Sequence, residues 1–329
     1  IESNQKKFKM LRTGRFFHLF VKNPSRFVAN SHMSSFSTAT KSIPSLIEVG
    51  DALSLIRANN NIKFIDGSWH MNKERKPLDE FINERIIGST YFNIDEVCDK
   101  NTTLPHMIPS ESEFSEHVGN AGIKNTDHVI VYGTEGAFSP ARVWWMFRLF
   151  GHDNVSILNG GLPGWKAASG PIESGAVATP VRTEFKAVLN KNMVITCDDV
   201  LSIVNSGAAQ IIDARSHARF NGETPEPRPG LRGGHIPGAL CLPFTSILRE
   251  DDVTKFRPLM EIKNNIQDSG AILGANMVMS CGSGVTAAVL YFALHLMGTD
   301  INKLALYDGS WTEWALREDL PVINPAQDD

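Results

Sequence analysis

The sequence repeats itself once, with a period near 148 residues. Four short segments recur in the same order, at offsets of 147, 150, 148 and 149 residues. The paired segments are 64–68 with 211–215, 84–88 with 234–238, 129–133 with 277–281, and 159–165 with 308–314. Agreement at four places in one order is not expected by chance, so the repeat predicts a duplicated domain.

Each copy alternates short apolar runs rich in β-formers with helical stretches. In the second copy, residues 210–212 and 277–280 have the pattern of buried strands, and residues 285–297 that of a buried helix ended by Gly298. This alternation predicts an α/β fold of two tandem domains, each a mostly parallel sheet with helices on both faces. We place the first domain at 43–172, the second at 193–329, and between them a linker, 173–192, rich in Gly, Ala, Thr, Ser and Pro.

Charge is distributed unevenly along the 329 residues. Residues 1–42 hold eight Lys or Arg and one acid, and removing these from 32 basic and 36 acidic residues leaves 24 and 35, a net charge of −11. An acidic body argues against nucleic-acid binding, and no apolar run is long enough to span a membrane. The basic, hydroxyl-rich head is typical of a mitochondrial transit peptide. A disordered tail on a cytoplasmic protein is the alternative.

Cysteine spacing indicates neither a metal site nor a disulfide framework, since the four cysteines form no Cys-x-x-Cys pair. Cys281 stands apart because it follows a strand and precedes Gly282, Gly284 and a helix expected to begin near Val285. Glycines let successive backbone N–H groups face one point, and a helix N-terminus adds partial positive charge. Such a setting favours a nucleophilic thiolate, although a small buried cysteine on a turn is the simpler alternative. The other three cysteines lack this setting.

Several motifs together carry a family resemblance. They are Cys281-Gly282-Ser283-Gly284-Val285-Thr286, Ile212-Asp213-Ala214-Arg215, Arg219-Phe220, Pro225-Glu226-Pro227-Arg228, Gly234-His235-Ile236-Pro237-Gly238, Tyr307-Asp308-Gly309-Ser310-Trp311 and residues 140–148. From about residue 43 to 321 the chain resembles the tandem-domain rhodanese-like sulfurtransferases. The resemblance implies a catalytic second domain and an inactive first copy, and the repeat places Gly133 where the second copy has Cys281.

The resemblance also implies the substrate. Branches that use thiosulfate have cationic residues directly after the cysteine, whereas Gly282 and Ser283 are neutral, as in the branch that uses 3-mercaptopyruvate. Arg219 and Arg228 are then expected to bind the substrate carboxylate. Glu223 and Glu226 offer these arginines an alternative as surface ion-pair partners. The loop residues Gly282, Gly284 and Val285 complete the expected substrate-binding set.

Two hydroxyl groups are expected to assist the reaction. Ser283 and Thr286 can position the thiolate and stabilise a developing enolate, although Thr286 could instead cap the following helix. The expected mechanism gives pyruvate and a Cys281 persulfide, and reduced thioredoxin, a small thiol or cyanide then takes the sulfur. Neither a metal nor an organic cofactor is required.

One departure from the family concerns a histidine. Members often carry a first-domain histidine near the active site, but here Arg85 stands at that motif position, which argues against a proton relay through a first-domain histidine. His235, Asp66 and Asp213 are expected to be structural.

The sequence leaves two other functions open, thiosulfate:cyanide sulfurtransfer and a non-catalytic sulfur-relay module. A cysteine phosphatase is disfavoured, because Ala287 stands where the Cys-x5-Arg motif needs arginine.

Overall fold

The computed structural model describes residues 43–58 and 61–328. The basic segment 1–42, for which a targeting function is predicted, lies outside these residues. Within the described part of the chain, no helix is both long and apolar enough to cross a bilayer.

Within residues 43–58 and 61–173, the first half forms seven short strands and five helices. The strands are β1 (Leu46–Glu48), β2 (Ile62–Asp66), β3 (Arg85–Ile86), β4 (Thr90–Tyr91), β5 (His128–Tyr132), β6 (Val155–Asn159) and β7 (Ile172–Glu173). The helices are α1 (Val49–Arg57), α2 (Pro77–Asn83), α3 (Glu111–Asn120), α4 (Phe138–Leu149) and α5 (Gly161–Ala167). β3 and β7 form a separate antiparallel pair, and the other five strands form one parallel sheet.

As described up to residue 328, the second half forms five strands and six helices. The strands are β8 (Val194–Ile195), β9 (Gln210–Asp213), β10 (Leu240–Cys241), β11 (Met277–Ser280) and β12 (Leu304–Tyr307). The helices are α6 (Cys197–Ser206), α7 (His217–Phe220), α8 (Leu259–Asp268), α9 (Ala287–Leu296), α10 (Ser310–Leu316) and α11 (Pro325–Asp328). Single 3₁₀ turns lie at Lys191–Met193, Phe244–Ile247 and Ile301–Lys303.

The two halves share one topology. The strand orders are β1-β6-β5-β2-β4 and β8-β12-β11-β9-β10, and all pairings within these two sheets are parallel. The central strands β5 and β11 are buried and apolar along nearly their whole length, as expected when helices cover both faces of a parallel sheet. The predicted fold class, two α/β domains with parallel sheets, is confirmed.

Helix starts are encoded locally in both halves. The side chain of Ser110 accepts from the backbone N–H of Glu113 at the start of α3, and that of Thr196 accepts from the backbone N–H of Asp199 at the start of α6. In both helices the side chain of the acid in turn accepts from the backbone N–H of the capping residue, which makes a capping box. Such boxes satisfy N–H groups that have no partner inside the helix. At the other end of α6, Gly207 takes a left-handed conformation (φ +67°) that ends the helix.

The core between the halves is built on α4 and α9. Both helices are almost fully buried, and α9 is apolar on nearly all sides, as expected for a helix inside the protein. Trp144 of α4 contacts Phe292 of α9 edge to face, with ring centroids 4.7 Å apart. One hydrophobic cluster therefore includes residues from both halves, and each sheet has a further, separate cluster on its outer side.

The segment between the halves lies against the first half. Residues 174–190 contain no helix or strand, whereas Glu173 belongs to β7. Phe185 of this segment is buried and contacts Phe114 and Phe147. The stretch predicted as a linker is thus ordered by apolar packing rather than by secondary structure of its own.

Arg85 serves this packing. Its side chain is only 2% exposed, and its Nε lies 3.0 Å from Glu173 Oε1. The guanidinium also donates to the backbone oxygens of Phe81, Ile82, Gly175 and Ala176. Arg85 therefore fastens the connecting segment to the first half.

Replacing Arg85 should weaken the fold. Arg85→Ala leaves Glu173 and four carbonyl groups without this donor, so the free energy of unfolding should fall by roughly 3 kcal/mol. Urea denaturation followed by circular dichroism measures the change. Arg182→Ala, which removes an exposed arginine from the same connecting segment, should cost less than about 0.5 kcal/mol. Equal losses in the two variants would show that Arg85 has no special structural role.

Candidate active site

Cys281 lies directly after β11, at the carboxyl end of the second sheet. Ser280 pairs in register with Asp213 of the neighbouring strand β9, so the loops that follow both strands begin at the same edge. Ligands bind at this edge in open parallel α/β sheets. The Cys281 side chain is 2% exposed and reaches a cavity of about 770 Å³ that lies between the halves.

Residues 281–283, 285 and 286 of the loop after β11 line that cavity. Cys281 O accepts from Trp311 N at 2.9 Å, and Gly282 O accepts from Thr312 N at 3.0 Å, both at the start of α10. In a planar trans peptide the following N–H points the opposite way, so the N–H groups of Gly282 and Ser283 face away from α10. Among the described residues, nothing accepts from the N–H groups of residues 282, 283, 285 and 286. Four donors thus remain available for an anion at the sulfur.

Ser310 holds this loop in shape, and the sequence analysis did not identify it. Its fully buried hydroxyl donates to Tyr307 O at 2.7 Å and accepts from the N–H groups of Cys281 (3.2 Å) and Gly284 (3.1 Å). Its φ is +50°, a left-handed conformation that favours glycine. The equivalent residue of the first half, Gly161, has φ +51°. The repeat contains a sign of this role, because Ser310 aligns with Gly161 and a serine is unusual at a position where the backbone favours glycine.

The helix after the loop begins at Ala287, slightly later than the predicted start near Val285. Thr286 occupies the position before the helix, but its side chain makes no capping hydrogen bond. The alternative role of Thr286 as a helix cap is therefore not what the structure shows. Thr286 lines the cavity instead, together with Val285.

A buried ion pair supports the loop from behind. Arg142 of α4 is fully buried, its Nη1 lies 2.7 Å from Asp308 Oδ1, and it donates to the carbonyl of Gly284 at 3.4 Å. A Cβ on Gly284, which has φ +75°, would lie 3.0 Å from Arg142 Nη1 and from two oxygens of Asp308. Gly284 is therefore needed for close packing and, unlike the other predicted site residues, does not line the cavity.

Ser283 is joined to a histidine and an acid from the first half. His106 Nδ1 lies 2.9 Å from Ser283 Oγ, and His106 Nε2 lies 2.8 Å from Asp95 Oδ1. The hydrogen bond from His106 holds the pKa of Asp95 below its usual value, despite partial burial, and Trp69 Nε1 donates to the other oxygen at 2.9 Å. A hydrogen bond from His106 Nε2 to the Asp95 carboxylate leaves Nδ1 as the ring nitrogen that accepts from the Ser283 hydroxyl.

This arrangement corrects the argument against a first-half histidine. The histidine is supplied by the loop before α3, not by the motif position that Arg85 occupies, and Arg85 does not line the cavity. No local pattern marks His106 as special. The contact joins residues 177 positions apart and depends on how the halves pack.

The two predicted arginines both line the cavity but differ in their partners. Glu226 accepts from Arg219 Nε at 3.1 Å and also from Arg219 Nη2, so the ion pair with Glu226 weighed as an alternative is present. A Cβ on Gly282 would lie 3.2 Å from Arg219 Nη2, so the guanidinium packs closely against this glycine. Arg228 makes no ion pair in residues 43–58 and 61–328, and it donates only to Ser283 Oγ, at 3.4 Å. Burial lowers the pKa of Arg228, an effect that the negative charge of Cys281 opposes.

Comparison with known proteins gives the family. A family profile described as "Rhodanese-like domain" matches the chain twice, over residues 51–168 and 196–317. The chain belongs to the rhodanese-like sulfurtransferase family. Each half of this rhodanese-like chain carries one match, in agreement with the duplicated fold.

Relatives and solved structures support the same assignment. 3-Mercaptopyruvate sulfurtransferase of Escherichia coli K12 is 43% identical over 250 residues, covering 76% of this chain and 87% of the relative. Thiosulfate/3-mercaptopyruvate sulfurtransferase 1, mitochondrial, of Arabidopsis thaliana is 37% identical over 313 residues, covering 88% of this chain and 81% of the relative. The crystal structure of SseA from Escherichia coli, described as a 3-mercaptopyruvate sulfotransferase, is similar with a TM-score of 0.73 at 37% identity, covering 82% of this chain and 99% of that chain. The family resemblance is confirmed.

The equivalent loop of the first rhodanese-like half has no room for a nucleophile. A Cβ on Gly133 would lie 2.9 Å from Pro140 Cγ and 3.0 Å from Gly136 O. Glu135 stands at the position of Ser283 and pairs with Arg75. Burial raises the pKa of Asp66 to about 6, since this half has no counterpart of the Arg215 that pairs with Asp213.

The remaining cysteines lie outside the cavity. Burial raises the pKa of Cys197 and raises that of Cys241 to about 12, which keeps both thiols protonated at neutral pH. Cys98 is partly exposed, and its sulfur lies 3.3 Å from Lys100 Nζ. No described group of three or more His, Cys, Asp or Glu side chains could hold a metal ion.

Ser310 offers a test that separates stability from loop shape. Ser310→Ala loses three hydrogen bonds and keeps the left-handed strain, whereas Ser310→Gly loses the bonds but relieves the strain. The free energy of unfolding of Ser310→Gly should therefore exceed that of Ser310→Ala by about 1 kcal/mol. Both should lose about tenfold or more in sulfur-transfer rate, because the loop N–H groups are no longer fixed. Thermal unfolding and steady-state kinetics measure the two effects.

Ser169 supplies the control for this comparison. It also has a left-handed φ, +56°, but it is exposed and outside the cavity. Ser169→Gly should keep full activity. If Ser310→Gly were as active as the unchanged protein, the role given to the hydroxyl would be wrong.

Proposed function

We propose that this sulfurtransferase takes the sulfur of 3-mercaptopyruvate onto Cys281 as a persulfide and passes it to a thiol acceptor, giving pyruvate and sulfide. The observation that carries the proposal is the Ser283–His106–Asp95 chain of hydrogen bonds beside the cysteine. When the carbon–sulfur bond of 3-mercaptopyruvate breaks, an enolate leaves and must gain a proton. Sulfite leaving from thiosulfate needs no proton on carbon, so a proton path favours the keto acid as donor.

The first step follows from the placement of Cys281. Its thiolate attacks the donor sulfur, an S–S bond forms, and the carbon–sulfur bond breaks with its electron pair passing into the enolate of pyruvate. The Ser283 hydroxyl donates to His106 Nδ1 before the reaction and turns to the enolate oxygen as negative charge develops there. A proton relayed from solvent through His106 and Ser283 then adds to the methylene carbon of the enolate and completes pyruvate.

Carboxylate binding falls mainly to Arg228. It is the lining arginine without an ion pair among the described residues, and it is partly buried next to Ser283. Charge-assisted hydrogen bonds to such a cation are among the stronger ones in proteins. Arg219 contributes its remaining donor, because Glu226 holds its Nε and Nη2.

The persulfide then occupies the loop. The free N–H groups of residues 282, 283, 285 and 286 supply donors to an anionic outer sulfur, as in other anion-binding backbone cradles. We infer that the second half is catalytic and the first is a silent copy. The closed loop at Gly133 supports this division.

The acceptor and the location are further parts of the proposal. Reduced thioredoxin or a small thiol would remove the outer sulfur, with cyanide as an artificial acceptor. The basic, nearly acid-free segment 1–42 supports a mitochondrial location. The mitochondrial name of the Arabidopsis relative points the same way.

The persulfide itself can be detected. After incubation with 3-mercaptopyruvate, the peptide that contains Cys281 should gain about 32 Da, the mass of one sulfur atom, as a covalent intermediate. Mass spectrometry should find no such gain in Cys281→Ser, and that variant should not turn over. Cys98→Ser, which removes a thiol outside the cavity, should keep both properties. A Cys281→Ser protein that still turned over would sink the mechanism, and a persulfide that no acceptor discharged would indicate a relay module.

The role of His106 predicts a dependence on the donor. His106→Gln should lower kcat with 3-mercaptopyruvate about 100-fold, because the Ser283 hydroxyl loses its acceptor and the proton path. The loss with thiosulfate should be below about tenfold, since no carbon is protonated. His117→Gln, on the exposed side of α3, should change neither rate. Equal losses with both donors would show that His106 only supports the loop.

Thiosulfate:cyanide sulfurtransfer is the second candidate activity. Two guanidinium groups line the cavity near Cys281 and could hold a dianion, and the Arabidopsis relative is named for both donors. The ratio of kcat/KM for the two donors decides between them. A ratio above one in favour of 3-mercaptopyruvate supports the first proposal, and the reverse supports the second.

A further inference from the structure

A buried glutamate lies behind the arginines of the cavity. The side chain of Glu226 is only 2% exposed and does not line the cavity. Its Oε1 accepts from Arg215 Nη1 at 2.8 Å and from Arg219 Nε at 3.1 Å, and its Oε2 accepts from Arg219 Nη2. Glu226 therefore joins a fully buried arginine to one that faces the cavity.

The buried arginine, Arg215, is already neutralised by another acid. Its Nε and Nη2 donate to Asp213 Oδ2 at 2.9 Å and 2.6 Å, and Nη2 also donates to Gly234 O at 2.9 Å. Its guanidinium carbon lies 4.4 Å from the ring centroid of Trp311. Because Asp213 balances the charge of Arg215, the carboxylate of Glu226 balances that of Arg219.

Arg219 and Arg228 lie side by side next to Cys281. A Cβ on Gly282 would be 3.2 Å from Arg219 Nη2 and 3.9 Å from Arg228 Nη1. Arg228 has no ion-pair partner among the described residues. Three arginines against two carboxylates leave one net positive charge on this side of the cavity. We call these five residues the arginine wall: Asp213, Arg215, Arg219, Glu226 and Arg228.

The other charged residues of the lining belong to the first half. Asp95 is held by hydrogen bonds from a histidine and a tryptophan, and Arg75 pairs with two glutamates. Lys73, Lys76 and Asp79 are exposed, and water and salt screen the charges of such groups. The charge that a donor meets beside Cys281 is therefore set mainly by the arginine wall.

The two candidate donors differ in charge. With its thiol protonated, 3-mercaptopyruvate carries one negative charge, whereas thiosulfate carries two. The energy between charges is proportional to their product, so an acid near the site disfavours a dianion twice as strongly as a monoanion. One uncompensated arginine suits the monoanion, because the second charge of a dianion has no cation of its own.

We propose that Glu226 is a positioning residue that determines donor specificity. By holding and neutralising Arg219, it leaves Arg228 as the one uncompensated cation beside Cys281 and favours a donor with a single negative charge over a dianion. Glu226 acts through Arg219, since it does not itself reach the cavity. This inference rests on the proposed function, because it explains how that site chooses between the two donors.

Charge selectivity can be measured without any chemistry. Sulfate and methanesulfonate have the same tetrahedral shape but carry two and one negative charges at pH 7, and calorimetry gives the Kd of each. The unchanged protein should bind sulfate no more tightly than methanesulfonate. Glu226→Gln should bind methanesulfonate about fivefold and sulfate about 25-fold more tightly, because the effect scales with ligand charge.

Glu223→Gln is the matched control. Glu223 precedes Glu226 in the same loop, is exposed and lies outside the cavity, so its replacement should change neither Kd. Equal gains for the two anions in Glu226→Gln would show a structural effect without charge selection. Sulfate binding the unchanged protein tenfold more tightly than methanesulfonate, or neither anion binding it, would also overturn the proposal.

A second variant keeps the test decisive if Glu226→Gln folds poorly, since removing one member of a buried ion pair is costly. Arg219 is partly exposed, and Arg219→Gln should weaken methanesulfonate binding about fivefold and sulfate binding about 25-fold. The double variant Arg219→Gln/Glu226→Gln has the net charge of the unchanged protein and should recover its ratio of the two Kd values. Equal weakening of both anions in Arg219→Gln contradicts the proposal.

Kinetics with the two donors extend the test to the reaction. In Glu226→Gln the ratio of kcat/KM for thiosulfate to that for 3-mercaptopyruvate should rise about fivefold, whereas Glu223→Gln should leave it unchanged. An unchanged ratio in Glu226→Gln overturns the specificity role. Failure of the unchanged protein to form a persulfide would instead contradict the proposed function, while the Kd values of the two anions still decide whether Glu226 sets charge selectivity.

Discussion

A buried ion pair between Arg142 and Asp308 joins the two halves at the point where the Cys281 loop turns. Arg142 also donates to the carbonyls of Gly284 and His106, and Asp308 accepts from the N–H of Ile108 at 2.7 Å. This ion pair thereby orients both the Cys281 loop and the loop that carries His106. A buried ion pair is a weak source of stability, because desolvation offsets the attraction, but it tolerates few alternative geometries. Its contribution here is to fix the relative position of two loops.

The two copies of the duplicated domain contribute different residues to the cavity. In the second half, Ser310 has the same left-handed backbone conformation as Gly161 in the first half. Its hydroxyl holds the loop around Cys281 in shape. In the first half the same loop is closed, and the sequence before α3 instead supplies Asp95 and His106 to the neighbouring site. Two copies of one fold thus form a single asymmetric cavity, with the proposed nucleophile Cys281 on one wall and the proposed proton path through His106 on the other.

The sequence predicted what depends on local pattern. The repeat predicted two copies of one parallel sheet, and the glycines around Cys281 predicted a loop that turns its N–H groups toward one point. The sequence could not predict the contacts between the halves. His106 contacts Ser283 only because α4 and α9 pack together, and no periodicity in the sequence encodes that orientation. For Arg219 the sequence offered both a free guanidinium and a pair with Glu226, and only the spacing of side chains in the folded loop settles this in favour of the pair.

The placement of the cavity between the halves makes catalysis a sensitive reporter of their docking. Each sheet has its own outer hydrophobic cluster, so each half can keep its strands and helices if the central packing loosens. Loosening of the central packing would break the hydrogen bonds of His106 and Arg142 to the second half, because these bonds join the two halves. On mild heating or dilute denaturant, turnover would therefore vanish while the circular dichroism of the backbone stayed almost native.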